Sequence, residues 1–217
     1  MTEAIIFDLD GTLWEATTPS LEAWNAVLAK YGMSDIRLTS EWVHTLMGKT
    51  MHEIADMMAS GLSREKQDEL LDEFGKTVVA YLRRDGAVLY DGLEDTLREL
   101  SRTYRLYIVS NCVDGYVQAF LYAHKLEPYF ADIEMYGRTG LGKADNIRLL
   151  MERNSIRRAV YVGDTAGDEQ SAQEAGIPFI HARYGFGTAD APAATVDAIT
   201  DLPACMRAFD EKKEDEK

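Results

Sequence analysis

Four aspartates in two short runs carry the first chemical signal. Asp8 and Asp10 stand in Asp8-Leu9-Asp10-Gly11-Thr12, and Asp164 and Asp168 in Gly163-Asp164-Thr165-Ala166-Gly167-Asp168. Each run follows apolar residues that read as a buried strand. In open parallel sheets, ligands bind beyond the carboxyl ends of the strands, so the two runs are expected to meet at one edge. Four carboxylates gathered there repel one another, and their pKa values rise unless a cation neutralises them. An all-oxygen donor set points to Mg²⁺, a hard cation that keeps waters and pairs with phosphate. A third strand end supplies Ser110 and Asn111. Lys143 follows Gly140-Leu141-Gly142 at a helix start, where the helix dipole disfavours a cation. A lysine set against that tendency is expected to pair an aspartate and a bound anion together.

The elements that must position these residues alternate along the chain. Ala4–Phe7 (AIIF) reads as a strand buried on both faces. After residue 84, strands at 105–109, 133–135, 159–162 and 178–181 alternate with helices carrying Leu93, Leu97 and Leu100, then Tyr116, Val117 and Phe120, then Ile147 and Leu150. Such alternation gives a parallel sheet with right-handed crossovers. Residues 15–84 break the pattern: Leu21, Trp24 and Leu28, and Leu70, Phe74 and Val78, fall at helical spacing with no strand-like run. The expected fold is therefore α/β. A doubly wound, Rossmann-like parallel-sheet core (1–14 and 85–209) carries an inserted all-helical cap (15–84), with linkers near 14–19 and 83–91. Residues 210–217 (DEKKEDEK) lack any apolar side chain and read as a disordered acidic tail. Within the insert, Met47, Met51, Met57 and Met58 read as core, and Trp14 and Trp24 as packing.

Composition narrows the function classes. The chain has 217 residues, 46% of them hydrophobic and 28% charged, which suits a globular protein and excludes a disordered one. The net charge of −14 repels nucleic-acid phosphates and anionic lipid, so neither is an expected partner. No apolar run approaches the roughly 20 residues that span a bilayer. The first residues show no basic region and no cleavage site of a signal peptide. Two cysteines far apart, Cys112 and Cys205, exclude a cysteine metal cluster and suit a reducing cytoplasm.

In order and placement, DLDGT at 8–12, Ser110 after an apolar strand, Lys143 and GDTAGD at 163–168 resemble the haloacid dehalogenase superfamily. The likeness is to its phosphatases with a helical cap after the first strand, and it spans the chain to about residue 189. It implies a Mg²⁺-dependent phosphatase acting on a small phosphorylated metabolite, similar to the phosphoglycolate phosphatases. Asp8 would be the nucleophile that forms an aspartyl-phosphate. Asp10 would protonate the leaving alkoxide and later deprotonate water. Gly11 would permit the turn, and Thr12 would hold the Asp10 rotamer. The metal would sit on the Asp8 carboxylate, the Asp10 carbonyl and Asp164, with Asp168 direct or through water. Ser110, Asn111 and Lys143 would hold phosphoryl oxygens, and Lys49 aligns with the cap loop that reaches the substrate in relatives.

Glu15 and Ala16 stand where the family often has an Asp-Ser pair, and Ala144 where it often has proline. The first change falls in the hinge and bears on cap motion or substrate contact. A hexose phosphomutase of the β-phosphoglucomutase type shares cap, metal and nucleophile. A non-enzymatic phospho-acceptor switch would share the aspartates but needs neither Asp10 nor a lid. Dehalogenase chemistry needs no metal and lacks an acid at the place of Asp10. A phosphonate hydrolase would need a cap lysine, for which Lys49 is the nearest candidate.

Overall fold

The computed structural model describes the chain apart from Ser34, Arg37, Met47, Gly48, Glu216 and Lys217, and apart from the side chains of His44, Met51, His52 and residues 213–215. The core roles expected of Met47 and Met51 fall on residues or side chains outside that description.

Strand β1 (Ala4–Phe7) lies at the centre of the main sheet, completely buried. Its period of two sends Ile5 and Phe7 into one apolar cluster and Ala4 and Ile6 into another, so both faces are covered. A short antiparallel pair follows: β2 (Trp14–Glu15) against β3 (Val88–Leu89). Between them run α1 (Thr17–Lys30), α2 (Ser40–His44), α3 (Met51–Ala59) and α4 (Arg64–Asp85). Each expected linker contributes one strand to this ribbon, which brings both ends of the helical insert to one place, while residues 17–19 and 83–85 belong to α1 and α4. In the insert, Trp24 stacks on Phe74 with ring centroids 3.7 Å apart. Thr50 and Glu53 close a capping box that starts α3. Met57, expected in the core, is half exposed, whereas Met58 packs against the cluster.

Beyond the insert come α5 (Leu93–Leu100), β4 (Arg105–Ser110), α6 (Tyr116–His124), β5 (Phe130–Met135), α7 (Tyr136–Thr139), α8 (Lys143–Arg153), β6 (Ala159–Gly163), α9 (Ala166–Ala175), β7 (Phe179–Ala182), β8 (Ala194–Val196) and α10 (Leu202–Asp215). The six main strands are parallel, in the order β5-β4-β1-β6-β7-β8. Phe7 pairs with both Ile108 and Val162, so Ser110 and Asp164 emerge one step past the level of Asp8. That register gathers the motif residues at one edge. Strand β5 is longer than expected because its acids are satisfied: Arg153 Nε lies 2.7 Å from Asp132 Oδ2, and Arg153 also pairs with buried Glu134.

Residues 210–215 of the expected tail are instead the end of α10. Leu202 and Met206 are fully buried, and Asp210 continues their face one turn on. Asp210 accepts from the Thr2 N–H at 2.8 Å, the Thr2 hydroxyl at 2.7 Å and the Tyr104 hydroxyl at 3.1 Å. An acidic residue extends the buried stripe because its partners wait at the start of β1. Asp210→Ala leaves these donors unpaired, which costs about 1–3 kcal/mol. At roughly 2–4 °C per kcal/mol for a chain of this size, the melting temperature falls by several degrees. An unchanged thermal melt would show that this end of α10 is not docked.

Candidate active site

Asp8 directly follows β1, and its N–H donates to the Val162 carbonyl at 2.8 Å. The residue is 3% exposed. Lys143, the first residue of α8, places Nζ 2.9 Å from Asp8 Oδ1 and 2.5 Å from Asp168 Oδ1. Its ammonium also lies 5.7 Å from the Tyr161 ring centroid. Buried Asn146 braces the turn that aims this lysine, accepting from the Thr139 hydroxyl at 2.8 Å and donating to the Leu141 carbonyl at 3.0 Å. The expected pairing of Lys143 with an aspartate is found, twice over.

Asp168 has no spare oxygen. Oδ1 receives Lys143, and Oδ2 accepts from the Asp164 N–H at 3.2 Å, the Thr165 N–H at 3.0 Å and the Thr165 hydroxyl at 2.7 Å. It closes a capping box with Thr165 at the start of α9. Asp164 is held from the other side. Phe186 N–H donates to its Oδ2 at 2.8 Å, and the Thr12 hydroxyl donates to Oδ1 at 3.3 Å. Thr12 therefore positions Asp164 and not Asp10, because the turn through Gly11 swings its hydroxyl across to the end of β6. Gly11 has φ +81°, and a Cβ there would lie 2.4 Å from Asp164 Oδ2, so the turn requires glycine.

Asp10 is held by Trp14, expected only to pack, and by Tyr116, expected only to mark a helix. Trp14 Nε1 donates to Asp10 Oδ1 at 2.8 Å, and the Tyr116 hydroxyl donates to the same oxygen at 3.0 Å. Trp14 buries completely against Tyr116 and Phe120 with edge-to-face rings, so the polar role hides inside an apolar one. No spacing rule identifies such donors. The Phe186 amide, on the loop after β7, was equally illegible because any residue but proline carries it.

One cavity joins these groups. Asp8, Asp10, Ser110, Asn111 and Lys143 line its core end, and Ser20, Trp24, Phe74 and Lys49 lie on the insert side. The site residues expected from the sequence thus come together. Carboxylate oxygens of Asp8, Asp164 and Asp168 lie within 4.8 Å of one another. Burial, then the charge of Asp168, pushes the Asp8 and Asp164 carboxyls up to about 7. Burial and then Asp8 raise Asp10 to about 7 against the pull of Tyr116 and Trp14. Burial works against the Lys143 charge, but Asp168 and Asp8 outweigh it and hold the ammonium well above its ordinary range.

A divalent cation fits this donor set. Three carboxylates and one lysine leave two negative charges in a buried place, and every available donor is oxygen. Asp8 already takes Lys143, Asp164 the Thr12 hydroxyl and the Phe186 N–H, and Asp168 Lys143 and Thr165, so an ion would join carboxylates that are already held in place.

Residues 5–182 match the family model of the haloacid dehalogenase-like hydrolases. The chain belongs to this family. Among the haloacid dehalogenase-like relatives, a phosphoglycolate phosphatase from Pseudomonas syringae pv. tomato is 26% identical over 95% of this chain and 80% of its own. One from Xanthomonas campestris pv. campestris is 27% identical over 92% of each chain. A haloacid dehalogenase-like family protein from Streptococcus pneumoniae shares the fold at a TM-score of 0.79 and 24% identity, covering 94% of this chain and 98% of its own. CbbY from Rhodobacter sphaeroides, solved with phosphate, gives 0.79 at 23% identity, over 93% and 96%. Among the described residues no helix is long and apolar enough to cross a membrane.

The two donors to Asp10 both favour its charged form. Removing one in Tyr116→Phe therefore moves the Asp10 titration upward from about 7. Carbon-13 spectra of the aspartate carboxyls across pH 5–9 read this directly. A titration unmoved by Tyr116→Phe would show that the hydroxyl does not act on Asp10.

Proposed function

We propose that this chain is a phosphatase of small phosphorylated metabolites, working through an aspartyl-phosphate on Asp8, with the helical insert as its cap. One observation carries the reading. Two carboxylates share a cavity under different guardians: Asp8 on Lys143, Asp10 on Trp14 and Tyr116. Two such groups can divide the roles of nucleophile and acid–base.

Asp8 attacks phosphorus in line, and its oxygen forms the new bond as the ester P–O bond breaks. Asp10 passes its proton to the leaving alkoxide, and the alcohol departs. A water then attacks the phosphoryl group and gives its proton to Asp10, freeing phosphate and restoring Asp8. A pKa of about 7 lets one carboxyl serve in both directions near neutral pH. Ser110, Asn111 and Lys143 hold the phosphoryl oxygens. Asp8, Asp164 and the Asp10 carbonyl would hold Mg²⁺, with Asp168 anchoring Lys143 and reaching the ion through water at most. When bound, the ion neutralises phosphoryl charge as it develops.

Lys49 places a cation on the insert side, suited to a second anionic group such as the carboxylate of phosphoglycolate. The phosphoglycolate phosphatases among its relatives support that substrate class. Both cysteines are free thiols, in keeping with a cytoplasmic protein.

Asp10→Asn separates the roles. Without the acid, an alkyl phosphate loses about 10²–10⁴-fold in rate, whereas p-nitrophenyl phosphate, whose phenolate leaves unaided, still phosphorylates Asp8. That substrate should give a burst of one p-nitrophenol per active site and then slow turnover. The trapped phosphoryl group should map to the Asp8 peptide and be missing in Asp8→Asn. Equal slowing of both substrates without a burst would remove Asp10 from the acid–base role.

A further inference from the structure

We propose that residues 184–191, in the connection from β7 to β8, form a clamp that presets Asp164 for the cation, with Tyr184 as its positioning residue. The inference rests on the cation of the reading above. The clamp is a closed circuit of hydrogen bonds. The Tyr184 hydroxyl donates to the Thr12 carbonyl at 2.7 Å, and the Thr12 hydroxyl donates to Asp164 Oδ1 at 3.3 Å. Two residues past Tyr184, the Phe186 N–H donates to Asp164 Oδ2 at 2.8 Å. Each oxygen of Asp164 is thus fixed from a different segment, and Tyr184 ties those two segments to each other.

The rest of the connection holds this circuit in place. A Cβ at Gly185 would overlap Asp164 and the Gly11 carbonyl, so the backbone lies directly against the acid. Tyr90, the residue after β3, packs edge-on against the Tyr184 ring with centroids 4.7 Å apart, which aims the hydroxyl. The far end is fastened separately. Buried Glu169 of α9 accepts from the Asp190 N–H and the Ala191 N–H, both at 2.8 Å.

Such fixing discriminates between ions. A carboxylate oxygen that accepts one hydrogen bond keeps a further lone pair, so Asp164 is oriented without being used up. Groups that orient a ligand in this way tune the affinity of a metal site. Mg²⁺ demands near-ideal octahedral geometry and short bonds, whereas Ca²⁺ accepts a looser shell. A carboxylate released to turn therefore costs Mg²⁺ more than Ca²⁺.

Tyr184→Phe keeps the ring and its packing on Tyr90 and removes only the hydroxyl. Metal-free protein, wild type and variant, is titrated in a calorimeter with Mg²⁺ and separately with Ca²⁺ at a single pH. The Mg²⁺ Kd of the variant should rise at least about 10-fold, the lower end of the range for a lost supporting group at a metal site. The Ca²⁺ Kd should rise by clearly less, so the preference for Mg²⁺ narrows. An unchanged Mg²⁺ Kd overturns the clamp and leaves the phosphatase reading standing. So does an equal loss for both ions, which marks general loosening instead of positioning. Wild-type protein that binds neither ion removes cation and clamp together, and the burst with p-nitrophenyl phosphate then judges the phosphatase reading on its own.

Discussion

Burying several carboxylates within 4.8 Å of one another is the constraint around which this molecule is organised. Each charge alone is costly in a medium of low polarity, and together they repel. The parallel register forces the encounter, since Asp8 and Asp164 leave adjacent strands at nearly one level. Lys143 offsets part of the cost from a third segment, and its own support runs through Asn146 and the 139–142 turn. The remaining charge is that of one divalent cation. On this account, stability and chemistry compete at one place: the uncompensated negative charge that strains the folded chain is what a bound cation relieves.

The charged residues of the site were legible because they cluster in short runs beside apolar strands. Asp8, Asp10, Asp164, Asp168 and Lys143 all meet in the fold. Their supporting groups were not legible, for physical reasons. Trp14 and Tyr116 are large and apolar in most of their surface, so helical and strand periodicity assigns them to packing, and the single donor each carries leaves no pattern. Phe186 acts through its backbone. Thr12 was assigned to the nearer aspartate in sequence, whereas the left-handed turn at Gly11 gives it to the farther one. In the fold, β8 escaped notice because three residues are too few to show a strand's alternation. The end of α10 escaped because a buried aspartate looks like a solvated one until Thr2 and Tyr104 are seen beside it.

The helical insert divides the labour differently. Its apolar stripes make its own core and also roof the cavity, so residues that fold the insert line the site as well. On the proposed reading, substrate choice lies with the insert's side chains, while the reacting groups stay on the strand ends.

The charge account is tested most directly by titrating the metal-free protein with Mg²⁺ in a calorimeter. Near pH 7 the runs use buffers of different ionisation enthalpy, and a further series is run at about pH 9. Asp8 and Asp164, raised to about 7, are partly protonated at neutral pH, so a cation that binds them must displace protons. The account predicts proton release near pH 7 that fades to none by about pH 9, two units above those values. Binding heats that are independent of buffer near pH 7, or no binding at either pH, would contradict it.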